Sequence, residues 1–201
     1  MRAFFLIGWA LVCAAVGAAQ STHWLTVDTV KQLPINTQVT IEIFGFPKAT
    51  LTPESTRHPK PDLTEGSIHT LILEPNYMLH AHAFQAPLTG EDTLGLQPLR
   101  VGARTELPWV TYVDGSFRLD YHAMRSLEHL KRFMNVHPTV VVAVRGLGEE
   151  GASEPCDRLG RRRARSVWEY LVTEGIDPKR IELQGTCGNG GSPIAVVVES
   201  L

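Results

Sequence analysis

The sequence predicts an α+β protein: a two-layer βαβαββ domain over residues 109–201, preceded by a β-rich region over residues 20–108. Three observations carry the prediction. Between residues 110 and 198, apolar runs of strand length alternate with two segments whose apolar residues recur at three- and four-residue spacing. Those two helical segments are too short for a doubly wound fold, so both are expected on one face of a single sheet. Upstream, threonine and proline are frequent and apolar residues fall in short alternating runs, the period of half-buried strands.

The chain opens with Arg2, an apolar run from Ala3 to Val16, the small residues Gly17, Ala18 and Ala19, and then Gln20. This is the three-part pattern of a secretory signal peptide, expected to be cleaved after Ala19. The run falls short of the roughly 20 apolar residues that a membrane anchor needs. Val12 standing before Cys13 argues against lipidation.

In the region that follows, Val39, Ile41 and Ile43 alternate with Thr40 and Glu42, which reads as a strand. Ile68–Leu73 reads as a second and Tyr77–Phe84 as a third. Pro47, Pro53, Pro59 and Pro61 lie between the first two and read as a loop. Gly90, Gly95, Pro98 and Gly102 mark a second linker over Leu88–Pro108. A small β-rich unit is favoured here over extended segments that gain order on a partner.

The domain at 109–201 is clearer. Val110–Val113 is expected as its first strand. Asp120 is placed to cap a helix whose apolar face carries Ala123, Met124, Leu127, Leu130 and Met134. Pro138 ends that helix, Thr139–Val144 is a β-branched strand, and Gly146 is expected to turn the chain. A second helix over Arg158–Thr173 points Leu159, Ala164, Val167, Trp168 and Leu171 inward, with Gly175 as its stop and Asp177-Pro178 as a turn. Arg180–Gln184 and Ile194–Val198 supply the last two strands.

Composition excludes several functions. With 19 Lys and Arg against 21 Asp and Glu, the formal charge is -2. Affinity from phosphate neutralisation needs a concentrated basic surface, so nucleic acid is a poor partner. Arg158, Arg161, Arg162, Arg163 and Arg165 form a local cluster, but a solvated helix face explains them better, with Glu169 four residues after Arg165. Removal of the signal leaves Cys156 and Cys187, an even count that favours a disulfide in an oxidising compartment. His80 and His82 share a strand face without a third ligand at metal spacing, so no metal or other cofactor is expected. No serine sits in a nucleophile elbow, adjacent Glu149 and Glu150 read as turn charges, and Gly188–Gly191 is hairpin punctuation with no helix after it. An enzyme is not expected.

The C-terminal residues also resemble a known family. Ser116 with Leu119, Leu127 with Leu130 and Pro138, and Gly146 at the start of a turn each match its pattern, as do Leu159, Gly160, Arg163 and Ala164 in place of L-S-x-x-R-A. Tyr170, Leu171, Gly175, Ile176, Arg180, Ile181 and Gly185 continue the match. The stretch resembles the OmpA-like C-terminal domain, which grips bacterial peptidoglycan. The resemblance implies a site in which an acidic side chain of the turn and the helix arginine hold the charged ends of diaminopimelate in the stem peptide. Carried onto this chain, that site comprises Gly146, Glu149, Asp157 and Arg163. A guanidinium takes a carboxylate, a carboxylate takes an ammonium, and helix-terminal amides add positive potential.

The chain departs from the family pattern. Leu147, Gly148 and Glu149 stand for the histidine, threonine and aspartate of its G-H-T-D turn, Cys156 or Asp157 stands for an asparagine, and the N-R-R-V-E of the closing strand is missing. Ligand binding requires an accessible gap between Glu149 and Arg163; a closed, salt-bridged turn is the alternative. The expected function is a periplasmic protein, associated with the outer membrane or cell wall, that anchors a membrane-associated assembly to peptidoglycan. Other envelope or outer-membrane proteins are its further partners. The competing expectation is a structural subunit of an envelope-spanning secretion, conjugation or motor complex, whose domain contacts proteins instead.

Overall fold

A computed structural model describes residues 23–31, 33–34, 39–43, 49–51, 57–59, 67–85, 91–107, 109–113, 116–151, 154–188 and 191–201. The expected signal segment at 1–19, the loop residues Pro47, Pro53 and Pro61, and Gly90 lie outside these residues.

The region upstream of residue 100 forms two four-stranded sheets. Its strands are β1 (His23–Asp28), β2 (Leu33–Pro34), β3 (Val39–Ile43), β4 (Ala49–Leu51), β5 (Arg57–Pro59), β6 (Ser67–Ile72), β7 (His80–Gln85) and β8 (Glu91–Leu96). β1 pairs antiparallel with β2 and β5 and parallel with β8. The other sheet runs β4-β3-β6-β7, antiparallel throughout.

The alternating residues of β3 and the apolar run of β6 therefore read correctly as strands. The expected loop holds two three-residue strands, with Pro59 tolerated because it ends β5. The expected linker holds β8, where Leu94 and Leu96 are fully buried around Gly95. A Cβ on Gly95 would come within 2.9 Å of Thr29 Cγ2, so this glycine permits close approach.

The C-terminal sheet has the order β11-β10-β12-β9. Its first strand is β9 (Arg104–Glu106), antiparallel to the last, and not Val110–Val113 as expected. Around Tyr112 the chain makes only an isolated bridge to Leu119. The Val-Thr-Tyr-Val run has strand propensity, but the edge of β12 is already occupied by β9. The βαβαββ order holds with β9 in front, so the sheet draws on residues before position 109.

Helix α1 (Tyr121–Val136) starts where Asp120 accepts a hydrogen bond from the Ala123 amide at 2.7 Å, a normal N-cap. Leu127, Leu130, Phe133 and Met134 are at most 1% exposed. Each contributes about 2–3 kcal/mol by leaving water. Met124, expected on this face, is 48% exposed, because the buried stripe runs through Ala123 and Leu127 on the adjacent side. The helix ends at His137, before Pro138.

No basic residue lies in the last turn of α1; Arg180 supplies the missing charge from across the fold. Its Nη2 donates to the carbonyls of Met134 and His137, and its Nε to that of Val140. A fixed cation at a helix C-terminus opposes the negative end of the backbone dipole.

Strand β10 (Val141–Gly148) is central, parallel to β11 (Ile181–Cys187) and antiparallel to β12 (Ile194–Ser200). Helix α2 (Cys156–Thr173) lies between β10 and β11 in sequence, and Gly175 takes a φ of 93° after its end. Val142, Val144, Ile181, Ile194, Val196 and Val198 form one core with the inward residues of both helices. Both helices therefore cover one face, as the sequence predicts. Met78 and Leu79 join the same core from upstream.

Candidate functional site

The site forms where α2 is pressed onto the ends of β10 and β11. A Cβ on Gly146 would overlap the Gly160 carbonyl, and one on Gly185 would overlap the Asp157 carbonyl. These glycines let helix backbone lie directly on strand backbone. Gly146 does not turn the chain as expected: it lies inside β10, whose pairing continues through Leu147 and Gly148. The acidic turn begins only at Glu149.

Close packing at Gly160 directs Arg163 inward one turn later, although it carries a charge. Arg163 is 3% exposed, and the cost of burying its charge is offset by three hydrogen bonds. Nε donates to the Ser116 carbonyl at 3.1 Å, Nη1 to the Leu147 carbonyl at 2.8 Å, and Nη2 to Glu149 Oε1 at 3.0 Å. The Tyr112 ring faces the guanidinium at 5.1 Å. Its hydroxyl donates to the Arg163 carbonyl at 2.9 Å, which Ser166 Oγ also engages at 2.8 Å. Burial pushes the Tyr112 phenol well above its ordinary pKa.

The pair is thus closed. Arg163 and Glu149 come together, but their own ion pair fills the gap expected between them; this is the closed, salt-bridged alternative, and a ligand can reach Arg163 only by displacing Glu149. The two partners are unequal: the Glu149 side chain is 55% exposed and the Arg163 side chain 3%. Asp157, also expected in the site, stands exposed in the first turn of α2, and the arginine's hydrogen bonds go elsewhere. Six residues along a helix carry Asp157 to a different side from Arg163.

Other arginines of α2 have their own partners. Arg162 lies 3.6 Å over the Phe117 ring and pairs with Glu154, while Arg165 pairs with Glu169 four residues on. Arg162 and Arg163 together fasten the Ser116–Phe117 segment over the helix. Sequence reasoning assigned Ser116 only by resemblance and missed Tyr112 and Phe117, because contacts 45 or more residues apart leave no local pattern. Among the described residues, no three His, Cys, Asp or Glu gather to hold a metal ion. None of their helices is long and apolar enough to cross a membrane.

The expected disulfide is present: Cys156 and Cys187 are bonded, with Cα atoms 5.2 Å apart. It ties the first residue of α2 to the last residue of β11.

The sequence model of the OmpA family matches residues 111–192. No curated protein matches the chain. Among solved structures, the chain is similar to a MotB-like protein from Desulfovibrio vulgaris at 18% identity, covering 47% of this chain and 71% of that one, with a TM-score of 0.40. It is similar to an outer membrane protein from Borrelia burgdorferi B31 at 16% identity, over 48% and 87% of the two chains, with a TM-score of 0.39. It is also similar to the periplasmic domain of Helicobacter pylori MotB at 17% identity, over 51% and 81%, with a TM-score of 0.44. A divergent OmpA-like domain therefore occupies the C-terminal part of the chain.

Proposed function

We propose that this is a non-enzymatic, periplasmic protein of the bacterial cell envelope whose OmpA-like domain contacts peptidoglycan and ties a membrane-associated assembly to the wall. The observation that supports this reading is the unequal ion pair at the mouth of the β10–α2 junction. Arg163 is held rigidly by two backbone carbonyls, whereas its third partner, Glu149, is an exposed side chain that can swing away. Displacing Glu149 removes one charge-assisted hydrogen bond, worth about 1.5–3 kcal/mol, which an incoming carboxylate restores.

A zwitterionic headgroup of the stem peptide completes the exchange. Its carboxylate replaces Glu149 at Nη2, and the released Glu149 carboxylate receives its ammonium. Glutamate suits this role because it is one methylene longer than aspartate, which extends the reach of its carboxylate.

Co-sedimentation with isolated peptidoglycan tests the reading. Glu149→Gln leaves an acceptor for Arg163 but removes the charge that holds an ammonium. Retention is expected to fall about tenfold, the loss of one charge-assisted hydrogen bond. Equal retention of the two proteins removes the pair from the mechanism.

The scaffold reading has one specific observation in its favour: the near-complete burial of Arg163 suits a residue that only fastens the fold. On that reading neither protein is retained by the wall, and both co-purify in a large envelope complex.

A further inference from the structure

The Cys156–Cys187 disulfide lies against the candidate site. Cys187 is paired across the parallel ladder with Gly148, the residue immediately before Glu149. Cys156 rests on the same glycine, since a Cβ on Gly148 would overlap the Cys156 carbonyl. The Gly188 amide also donates to the Gly148 carbonyl at 3.2 Å. Two segments, the end of β11 and the start of α2, converge on the residue from which the acidic turn departs.

Helix α2 lacks an ordinary start. Its N-cap is Pro155, which offers no side-chain hydrogen bond to the first turn. Ser, Thr, Asp or Asn normally fills that position and accepts from an amide of the helix. Here the covalent link to β11 fixes the first turn instead, and Glu154, two residues before the helix, is paired with Arg162.

We infer that the Cys156–Cys187 bond is a redox-sensitive positioning device for the Glu149–Arg163 pair. Oxidised, it holds the turn so that Glu149 stands opposite Arg163 and the site is preorganised. Reduced, the first turn of α2 and the acidic turn loosen, and the hold on a zwitterionic ligand weakens. The inference rests on the wall-contact reading above.

The bond is built to be reached. Cys187 is exposed and Cys156 half-buried, which favours attack by a thiolate on the Cys187 side of the bond. Cys156 then leaves as a thiolate at the N-terminus of α2, where unpaired amides stabilise negative charge, and good leaving groups speed thiol–disulfide exchange. Asp157 opposes this stabilisation and Arg158 adds to it, both exposed in the same turn. The reductant is a dithiol. Its first thiolate forms a mixed disulfide with Cys187, its second thiol displaces Cys187, and two electrons and two protons pass to the cysteines as the dithiol closes to its own disulfide.

Hydrogen exchange and peptidoglycan co-sedimentation, run on the purified protein before and after reduction with dithiothreitol, test the inference. The expected result is that amides 156–160 exchange at least about tenfold faster after reduction, through a local opening that urea below the unfolding range leaves unchanged, whereas amides 142–144 and 127–134 accelerate only by the loss of global stability. Retention by peptidoglycan is expected to fall about tenfold in parallel and to recover on reoxidation. The Cys156→Ser/Cys187→Ser protein is expected to behave as the reduced form. Unchanged exchange at 156–160, or loosened amides with unchanged retention, overturns the inference while leaving wall contact intact. No retention of the oxidised protein overturns wall contact itself, and the inference with it.

Discussion

Arg163→Ala should cost far more stability than Glu149→Ala, although the two side chains share one ion pair. Truncating the arginine removes three hydrogen bonds and leaves the carbonyls of Leu147 and Ser116 without their donor. Hydrogen bonds from a charged donor are worth about 1.5–3 kcal/mol each, and an orphaned buried acceptor costs about 1–3 kcal/mol. Ser116 is half-buried and regains water, and the exposed carboxylate of Glu149 returns to solvent at little cost. The expected loss for Arg163→Ala is therefore about 3–5 kcal/mol. Glu149→Ala leaves Arg163 on its two carbonyls and removes a single charge-assisted hydrogen bond, so it should cost about 1.5–2 kcal/mol. Arg163→Lys should fall between, because one ammonium cannot reach acceptors that lie in three directions. Urea unfolding of the oxidised proteins, with equal m-values, measures all three. If Arg163→Ala costs no more than Glu149→Ala, the guanidinium is not the clamp described here.

Four further outcomes are expected. Removing the disulfide by Cys156→Ser/Cys187→Ser should cost about 3–4 kcal/mol, from the loop closed by a separation of 31 residues, read as a drop in the urea midpoint. Gly146→Ala should cost more than about 3 kcal/mol, because its Cβ overlaps the Gly160 backbone, whereas Gly151→Ala, with φ 86° and open space, should cost only about 1 kcal/mol in thermal melts. Arg180→Met should take a donor from the carbonyls of Met134 and His137 at the end of α1 and of Val140 beyond it, and cost about 2–3 kcal/mol, with faster exchange confined at first to that end of the helix. Burial, and then the charge of Arg180, hold the His137 pKa below its ordinary 6.5. A depressed folded-state pKa means that the unfolded chain binds the proton first, so stability is full above pH 6.5 and falls as pH drops toward the folded value. The slope is at most about 1.4 kcal/mol per pH unit, and it should vanish in His137→Gln.

Local chemistry made most of the C-terminal fold legible. Asp120, Pro138 and Gly175 act at single positions, and each bounds its element where the sequence places it. The inward residues of α2 recur with helical period because they meet one flat face. What the sequence hid were features decided by competition between distant segments. Val110–Val113 has strand propensity but lost the edge of β12 to Arg104–Glu106, a charged segment that wins through position alone. Gly146 signals a turn in isolation; its real constraint, the carbonyl of Gly160, lies across the fold. β8 was hidden by Gly90 and Gly95, the second of which is needed because Thr29 approaches from the turn after β1. Of the site, Arg163 and Glu149 were found, because the resemblance supplied both. Tyr112 and Phe117 were not, because an aromatic side chain carries no mark of the cation it faces.

The division of labour around Arg163 explains how one residue can hold the fold and still meet a ligand. A guanidinium has a rigid planar fork, so fixing two of its nitrogens fixes the third. Nε and Nη1 are bound to carbonyls of Ser116 and Leu147, the first in the segment that the Arg162–Phe117 contact fastens and the second in strand β10. Nη2 is therefore presented in a constant direction whatever its partner does. A ligand carboxylate need only compete with Glu149, and the arginine loses no further conformational freedom when the exchange occurs. Preorganisation of this kind limits the entropy lost on binding. The burial that makes Arg163 structural is thus the same property that would make it a precise ligand contact, and only the mobility of Glu149 decides between the two uses.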